Sequence, residues 1–312
     1  MTQTEAAQQC ALCGHDDAAE VERGISRDIA ITNVICKRCT LVYMRPYASP
    51  VDSAGLYKSG SYWGEASDSA VQVSDLRSAH IAEFCAPYLS AGATVLDIGC
   101  ASGETLARMR DRFDCKPVGI EPDQSLSEHA RQTHGIEVLN TTVEELDPGQ
   151  IQADMIVMSH VLEHFNAPRD ALQKVRTWLK PNGLMYVEVP NLFVHQSFEL
   201  AHPFTFHRGT LVEMLRAEGF NVQWFKSHGK GRPLRLPYFL SVIVGLADKP
   251  TEEPQVSASY QTVLARRKIE RKFSKTSEFA MGLGVKMLKL MMPGGFYRGV
   301  KGFYWRILDG KN

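Results

Sequence analysis

Val95-Leu96-Asp97-Ile98-Gly99-Cys100-Ala101-Ser102-Gly103-Glu104 decides the fold. An apolar, β-branched run ends in an acid and then in a glycine turn. The residues that follow, Gly103–Phe113, have helical spacing. Glycine at such a turn lets backbone approach a ligand that a Cβ would block. The dinucleotide pattern G-x-G-x-x-G is not present. An acid just before the turn repels a pyrophosphate and suits a cationic ligand.

Working outward, strand and helix patterns alternate for about 150 residues, a span within one ordinary domain. Strands are expected at Thr94–Ile98, Pro117–Glu121, Glu137–Leu139, Met155–Ser159, Leu184–Val189, Val222–Ser227 and Leu240–Leu246. Helices are expected at Ser69–Leu89, Gly103–Phe113, Ser125–His134, Ala167–Leu179 and Arg208–Glu218. Short strands between amphipathic helices imply an α/β fold with a doubly wound parallel sheet. Such a sheet binds its ligand at the carboxyl ends of its strands.

The second strand ends in Gly119-Ile120-Glu121-Pro122-Asp123, and a carboxylate there can accept hydrogen bonds from both hydroxyls of a ribose. Asp97 for a charged amino-acid moiety, open backbone at Gly99 and Gly103, and Glu121 for ribose together describe S-adenosylmethionine. The sequence resembles the class I S-adenosylmethionine-dependent methyltransferases over about Ser69 to Lys249. Val95–Gly103, Val118–Asp123 and Ala153–His160 fall in that family's order and spacing. The resemblance implies a seven-stranded, Rossmann-like sheet whose last strand is antiparallel. It also implies Asp97, Gly99 and Gly103 beside the methionine part, and Glu121 on the ribose. Val143 and Glu144 would lie near adenine, with Ser159 and His160 at the mouth by the methyl group. Ala101 stands where the motif usually has a glycine, which requires a negative φ there.

His160-Val161-Leu162-Glu163-His164 also spells the H-x-x-E-H of inverted zinc proteases. Asn166-Ala167-Pro168 stops a helix within about a turn, so the segment reads as a loop after a strand of the cofactor sheet.

Four of the seven cysteines form two pairs, Cys10-x-x-Cys13 and Cys36-x-x-Cys39, flanking an alternating run Ile25–Ile35 that reads as strand. Two such knuckles joined by a short β-hairpin present four thiolates to one metal, and metal binding then supplies folding energy. A structural zinc ribbon over 1–48 is expected. A redox dithiol would need a βαβ context that is not there. The ribbon carries five basic and six acidic residues, so it lacks the footprint of a phosphate binder.

The whole chain of 312 residues has 35 basic and 35 acidic side chains, which excludes a generally basic nucleic-acid binder. Composition is ordinary for a globular protein, with 44% hydrophobic residues. Met1 to Gln9 shows no secretory pattern, and no apolar stretch is long enough to span a bilayer. A cytoplasmic setting with reduced thiols is expected. The divisions expected are a ribbon at 1–48, a linker and entry loop at 49–67, the cofactor domain at 68–250, and a basic, aromatic-rich helical tail at 251–312. Charge is uneven, at −7 for the first 250 residues and +7 from Thr251 onward. The tail, with Met287, Leu288, Phe296, Tyr304 and Trp305 among lysines and arginines, suits packing on the domain, a partner, or a peripheral membrane contact.

A four-cysteine module joined to this fold is similar to the sugar C-methyltransferases that act on nucleotide-linked deoxy-keto-sugars. That resemblance implies a small-molecule acceptor, a sugar or glycoconjugate precursor. It points to Tyr62 in the entry loop and to His202, the last residue of Glu199-Leu200-Ala201-His202, as acceptor-side groups. A histidine titrating near neutrality suits proton removal from the nucleophile. His202 is the first candidate base and His160 the second. His202 could equally be a structural residue packed under Phe204 and Phe206. A zinc-ribbon RNA methyltransferase and a non-catalytic module on the same fold are the alternatives.

Overall fold

The computed structural model describes residues 9–26, 28–45, 68–147, 149–195, 198–230, 236–251, 254–256 and 258–291. Tyr62 and the aromatic part of the tail from Phe296 to Trp305 lie outside them.

The first three strands are β1 (Ala18–Ser26), β2 (Ile29–Cys36) and β3 (Val42–Arg45). The run Ile25–Ile35 is strand on both sides of a reversal near Asp28, whose φ is 63°, and Ile25 pairs back onto Ala30 in the short β-hairpin expected between the two knuckles. Apolar alternation on both sides of a tight turn looks continuous in sequence, so the position of the turn is not legible there.

Helix α1 (Asp68–Cys85) continues as a 3₁₀ turn at Ala86–Tyr88, where Pro87 ends the α pattern. Then follow β4 (Thr94–Ile98), α2 (Glu104–Phe113), β5 (Lys116–Ile120), α3 (Gln124–His134), β6 (Glu137–Leu139) and β7 (Ala153–Ser159). Asp123 caps α3 by accepting from the Leu126 N–H, and Gly135 ends it at φ 63°. After β7 come a 3₁₀ turn at Leu162–His164, α4 (Pro168–Trp178), β8 (Leu179–Pro190) and the two-residue β9 (Phe204–Thr205). The chain closes with α5 (Arg208–Ala217), β10 (Phe220–His228), β11 (Phe239–Leu246) and the long α6 (Tyr260–Met291).

Seven strands form one sheet in the order β10-β11-β8-β7-β4-β5-β6. Pairs from β8 through β6 are parallel, and β11, the last strand, runs antiparallel to both neighbours. Alternate strand residues serve opposite faces. Val95, Val157 and Tyr186 pack with α1, α2 and α3. Leu96, Ile156, Val187 and Val189 pack with α4, α5 and the ribbon.

The ribbon is sewn into the larger domain. β3 pairs with β9, Tyr43 opposite Phe204, and Tyr43, Phe204 and Phe206 are all fully buried. The first half of α6 straps the two parts together. Arg267 Nη1 donates to the Leu192 carbonyl, and Arg271 Nη1 lies 2.5 Å from Glu22 on β1. No helix among the described residues is long and apolar enough to cross a membrane.

Candidate active site

The turn after β4 is shaped for close approach. Gly99 has φ 69°, and a Cβ there would meet Val161 Cγ2 at 2.7 Å. Gly103 has φ 85°, and its Cβ would meet the Ala130 side chain at 2.9 Å. Asp97 is buried at the strand end. Burial, then the charge of Glu121, holds its carboxyl well above the usual range. A cation placed beside it would favour the ionised form.

Glu121 ties the two strand ends together. Its Oε2 accepts from the Ala101 N–H at 2.9 Å and its Oε1 from the Asp123 N–H at 2.9 Å. Each oxygen keeps a lone pair for a further donor. Burial raises this carboxyl to about 6. Ala101 itself sits at φ 48°, so the expectation of a negative φ is corrected. The bond from its N–H to Glu121 holds alanine in a conformation that ordinarily costs about 1–2 kcal/mol. Asn140, beyond β6, donates to the Glu121 carbonyl at 2.8 Å. The following loop carries Val143, buried, and Glu144, exposed, whose carbonyl accepts from Lys174 at 2.7 Å.

The other side of the site is built from side chains. His160, just beyond β7, has φ 58°, a strained value of the kind found at functional positions. Its N–H donates to the Glu188 carbonyl at 2.8 Å. The ring lies between two buried carboxylates, with Nδ1 3.3 Å from Glu163 and Nε2 3.4 Å from Glu188. Glu188 also accepts from Tyr186 at 2.7 Å, Ser241 at 3.0 Å and Ser159 at 3.3 Å. Burial alone would raise its carboxyl, but His160 and His228 outweigh that and hold it well below the usual range. Sequence reasoning missed Glu188. The signal available was an acid inside the apolar strand run Tyr186-Val187-Glu188-Val189.

His202 lies on the segment after β8, its ring centroid 4.7 Å from that of His164 and 5.8 Å from that of His195. Burial, reinforced by the charge of His164, pushes it down to about 3. The ring is thus neutral at physiological pH, but a weaker proton acceptor than the near-neutral base expected from sequence. His164 and Glu163 belong to a 3₁₀ turn rather than to a protease helix. His207, by contrast, is structural: Nδ1 accepts from the Gly209 N–H at 3.1 Å, capping α5, while Nε2 donates to Thr40 at 2.9 Å.

In the ribbon the two knuckles close with matching left-handed residues, Gly14 at φ 70° and Thr40 at φ 63°. Cys10 and Cys39 Sγ are 3.4 Å apart, and Cys13 and Cys36 Sγ 3.5 Å. All four sulfurs lie within 4.8 Å of one another. Tetrahedral zinc with thiolates at about 2.3 Å needs sulfur edges of about 3.8 Å. Hydrogen bonding from Cys10 lowers Cys13 to about 7, and Cys36 falls further, while Cys10 and Cys39 are pushed up. The donor set fits one soft cation.

A mixed seven-stranded sheet with an antiparallel last strand, a glycine turn after β4 and an acid closing β5 defines the class I S-adenosylmethionine-dependent methyltransferases. The family model described as a methyltransferase domain matches residues 73–229, and the chain belongs to that family. A ubiquinone biosynthesis O-methyltransferase of Bradyrhizobium diazoefficiens is 37% identical over 105 residues, 32% of this chain and 41% of that protein. C-methyltransferase NovU of Streptomyces niveus is 24% identical over 244 residues, 69% of this chain and 56% of that one. A tRNA U34 carboxymethyltransferase of Pseudoalteromonas translucida is 34% identical over 103 residues, 31% of this chain and 32% of that one. The matches span less than two thirds of each of these relatives. Among solved structures, an S-adenosylmethionine-dependent methyltransferase from Clostridium acetobutylicum is 10% identical at TM-score 0.47, covering 61% of this chain and 98% of that one.

Proposed function

We propose that the chain transfers a methyl group from S-adenosylmethionine to a phosphate-bearing carbohydrate, a nucleotide sugar or glycoconjugate precursor. The cradle of Asp97, Gly99, Gly103 and Glu121 supports the donor. Bound there, S-adenosylmethionine supplies an electrophilic methyl on a sulfonium. Asp97 balances its cationic amino-acid end, Glu121 accepts from the ribose, and the loop of Val143 and Glu144 flanks the adenine.

The observation that carries the acceptor class is an open cavity of about 420 Å³ at the carboxyl edge of the sheet. Arg208, Lys226 and Arg266 line it together with Phe193, Phe225 and Asn191. Arg208 stacks on Phe225 with its guanidinium carbon 4.9 Å from the ring centroid, and Arg266 on Phe193 at 4.0 Å. Arg266 is also paired with Glu270 at 2.8 Å, and the stacked guanidinium of Arg208 with the Lys226 ammonium suits phosphate oxygens.

Transfer requires an acceptor atom within about 3–3.5 Å of the methyl and in line with it. His160 is the better placed proton acceptor, with its ring 3.3 Å from Glu163 and 3.4 Å from Glu188 at the end of β7. His202 stands beside it as a neutral imidazole, and Ser159 lines the same mouth. Cys10, Cys13, Cys36 and Cys39 hold one zinc ion that fixes the ribbon and, through β3 and β9, the segment leading to α5.

Incubation with methyl-labelled cofactor and a panel of nucleotide sugars, glycolipids and RNA tests this reading. Label is expected in a phosphate-bearing sugar, with the rate falling when Arg208 and Lys226 are both changed to Ala. Label in RNA alone, or a rate indifferent to those two cations, would overturn the acceptor class.

A further inference from the structure

Two buried carboxylates flank His160, and they are treated very differently. Glu188 and Glu163 are each 1% exposed. Glu188 receives hydroxyl hydrogen bonds from Tyr186, Ser241 and Ser159. Neither oxygen of Glu163 accepts a hydrogen bond. His160 Nδ1 lies 3.3 Å from Oε1, within ion-pair distance. Burying an ionised carboxylate without donors is costly, and such groups in proteins are paired or bind metal.

The groups facing Glu163 are imidazoles. One oxygen of Glu163, one ring nitrogen of His164 and one of His202 all lie within 4.8 Å of one another. His164 Nδ1 donates to the Ala201 carbonyl at 2.7 Å, which places the lone pair of the neutral ring on Nε2. A backbone carbonyl orienting the far nitrogen is the usual support of a metal-ligating histidine. His202 belongs to a second, overlapping set with His195 and Glu199, so the cluster has donors on both sides of it.

We propose that Glu163, His164 and His202 form a divalent transition-metal site at the acceptor mouth, separate from the thiolate site of the ribbon. Two imidazoles and one carboxylate leave coordination positions open. On the methyl-transfer reading given above, an acceptor oxygen bound at an open position would be acidified. Metal binding itself does not depend on that reading.

The test uses the whole chain with no cofactor or acceptor present, so failure of metal binding leaves the methyl-transfer reading standing. Manganese(II), which prefers oxygen and nitrogen to thiolate, is titrated and followed by electron paramagnetic resonance. One equivalent is expected to bind. Glu163→Gln and His202→Asn are each expected to weaken it at least tenfold. Cobalt(II) on the wild-type chain gives a second readout that needs no variant. Two equivalents are expected, one with thiolate charge transfer and one with only the weak bands of nitrogen and oxygen ligands. Failure of the folded wild type to bind manganese, cobalt at the thiolates alone, or manganese affinity unchanged in both variants would overturn the site.

Discussion

The proposed cofactor cradle and the proposed acceptor mouth are built on opposite plans. Every group of the cradle proper lies between Asp97 and Asp123, and backbone does much of the work. Gly99 and Gly103 open the turn, and the N–H groups of Ala101 and Asp123 are gathered by one carboxylate. The mouth is assembled from side chains far apart in sequence. His160, Glu163 and His164 follow β7, Glu188 lies on β8, and His195 and His202 follow it. One plan fixes a single ligand shape, whereas the other clusters titratable groups whose properties come from each other.

The contrast predicts how damage spreads. Cys13→Ser removes a ligand of the proposed ribbon zinc and should have the largest effect, since structural zinc contributes about 10–16 kcal/mol in isolated fingers. Because Val42 and Tyr43 pair with Thr205 and Phe204, and Thr40 holds His207, the loss should reach the acceptor mouth. Hydrogen exchange should show lost protection at 34–45 and 202–207, with Leu96 to Ile98 unaffected. Uniform loss across both regions would break the distinction between them.

Glu121→Ala should act on the cradle. Removing an acceptor to the ribose hydroxyls costs about 1.5–3 kcal/mol, or roughly ten- to a hundredfold in cofactor affinity. The carboxyl titrates at about 6 and accepts from the ribose best when ionised. Affinity should therefore be flat above pH 6 and decline as pH falls through it, and that limb should be missing in the variant. A pH profile shared by wild type and variant would assign the titration elsewhere.

Ala101→Gly should give the smallest effect. It relieves a left-handed alanine at φ 48°, worth about 1–2 kcal/mol, and adds about 0.5–1 kcal/mol of unfolded-state entropy. Chemical denaturation should show a net gain of up to about 1 kcal/mol. A loss would mean that the methyl group packs usefully in the turn.

Legibility in sequence follows the same division. The strands from Thr94 to Leu246 are readable because short β-branched runs alternate with amphipathic helices, and boundaries differ mainly where pairing extends a strand. β8 begins at Leu179 rather than Leu184 because Leu179 pairs with Ala153 across an irregular register. β9 is not readable at all, since two residues gain strand geometry only by meeting β3. Cys10, Cys13, Cys36 and Cys39 announce their cluster by spacing. His164, His195 and His202 do not, because a lone histidine is ambiguous and their proximity is created by the fold. The depressed titration of His202 is likewise a product of burial and neighbours, invisible in its own segment.

Calorimetry with S-adenosylmethionine on wild type, Gly99→Val and His202→Asn tests the placement of the donor most directly. A Cβ at Gly99 would lie 2.7 Å from Val161 Cγ2 in a left-handed backbone, so Gly99→Val should abolish binding. The wild type should bind one equivalent, and His202→Asn should match it. No binding by the wild type, or undiminished binding by a folded Gly99→Val, would contradict a cofactor seated on the turn after β4.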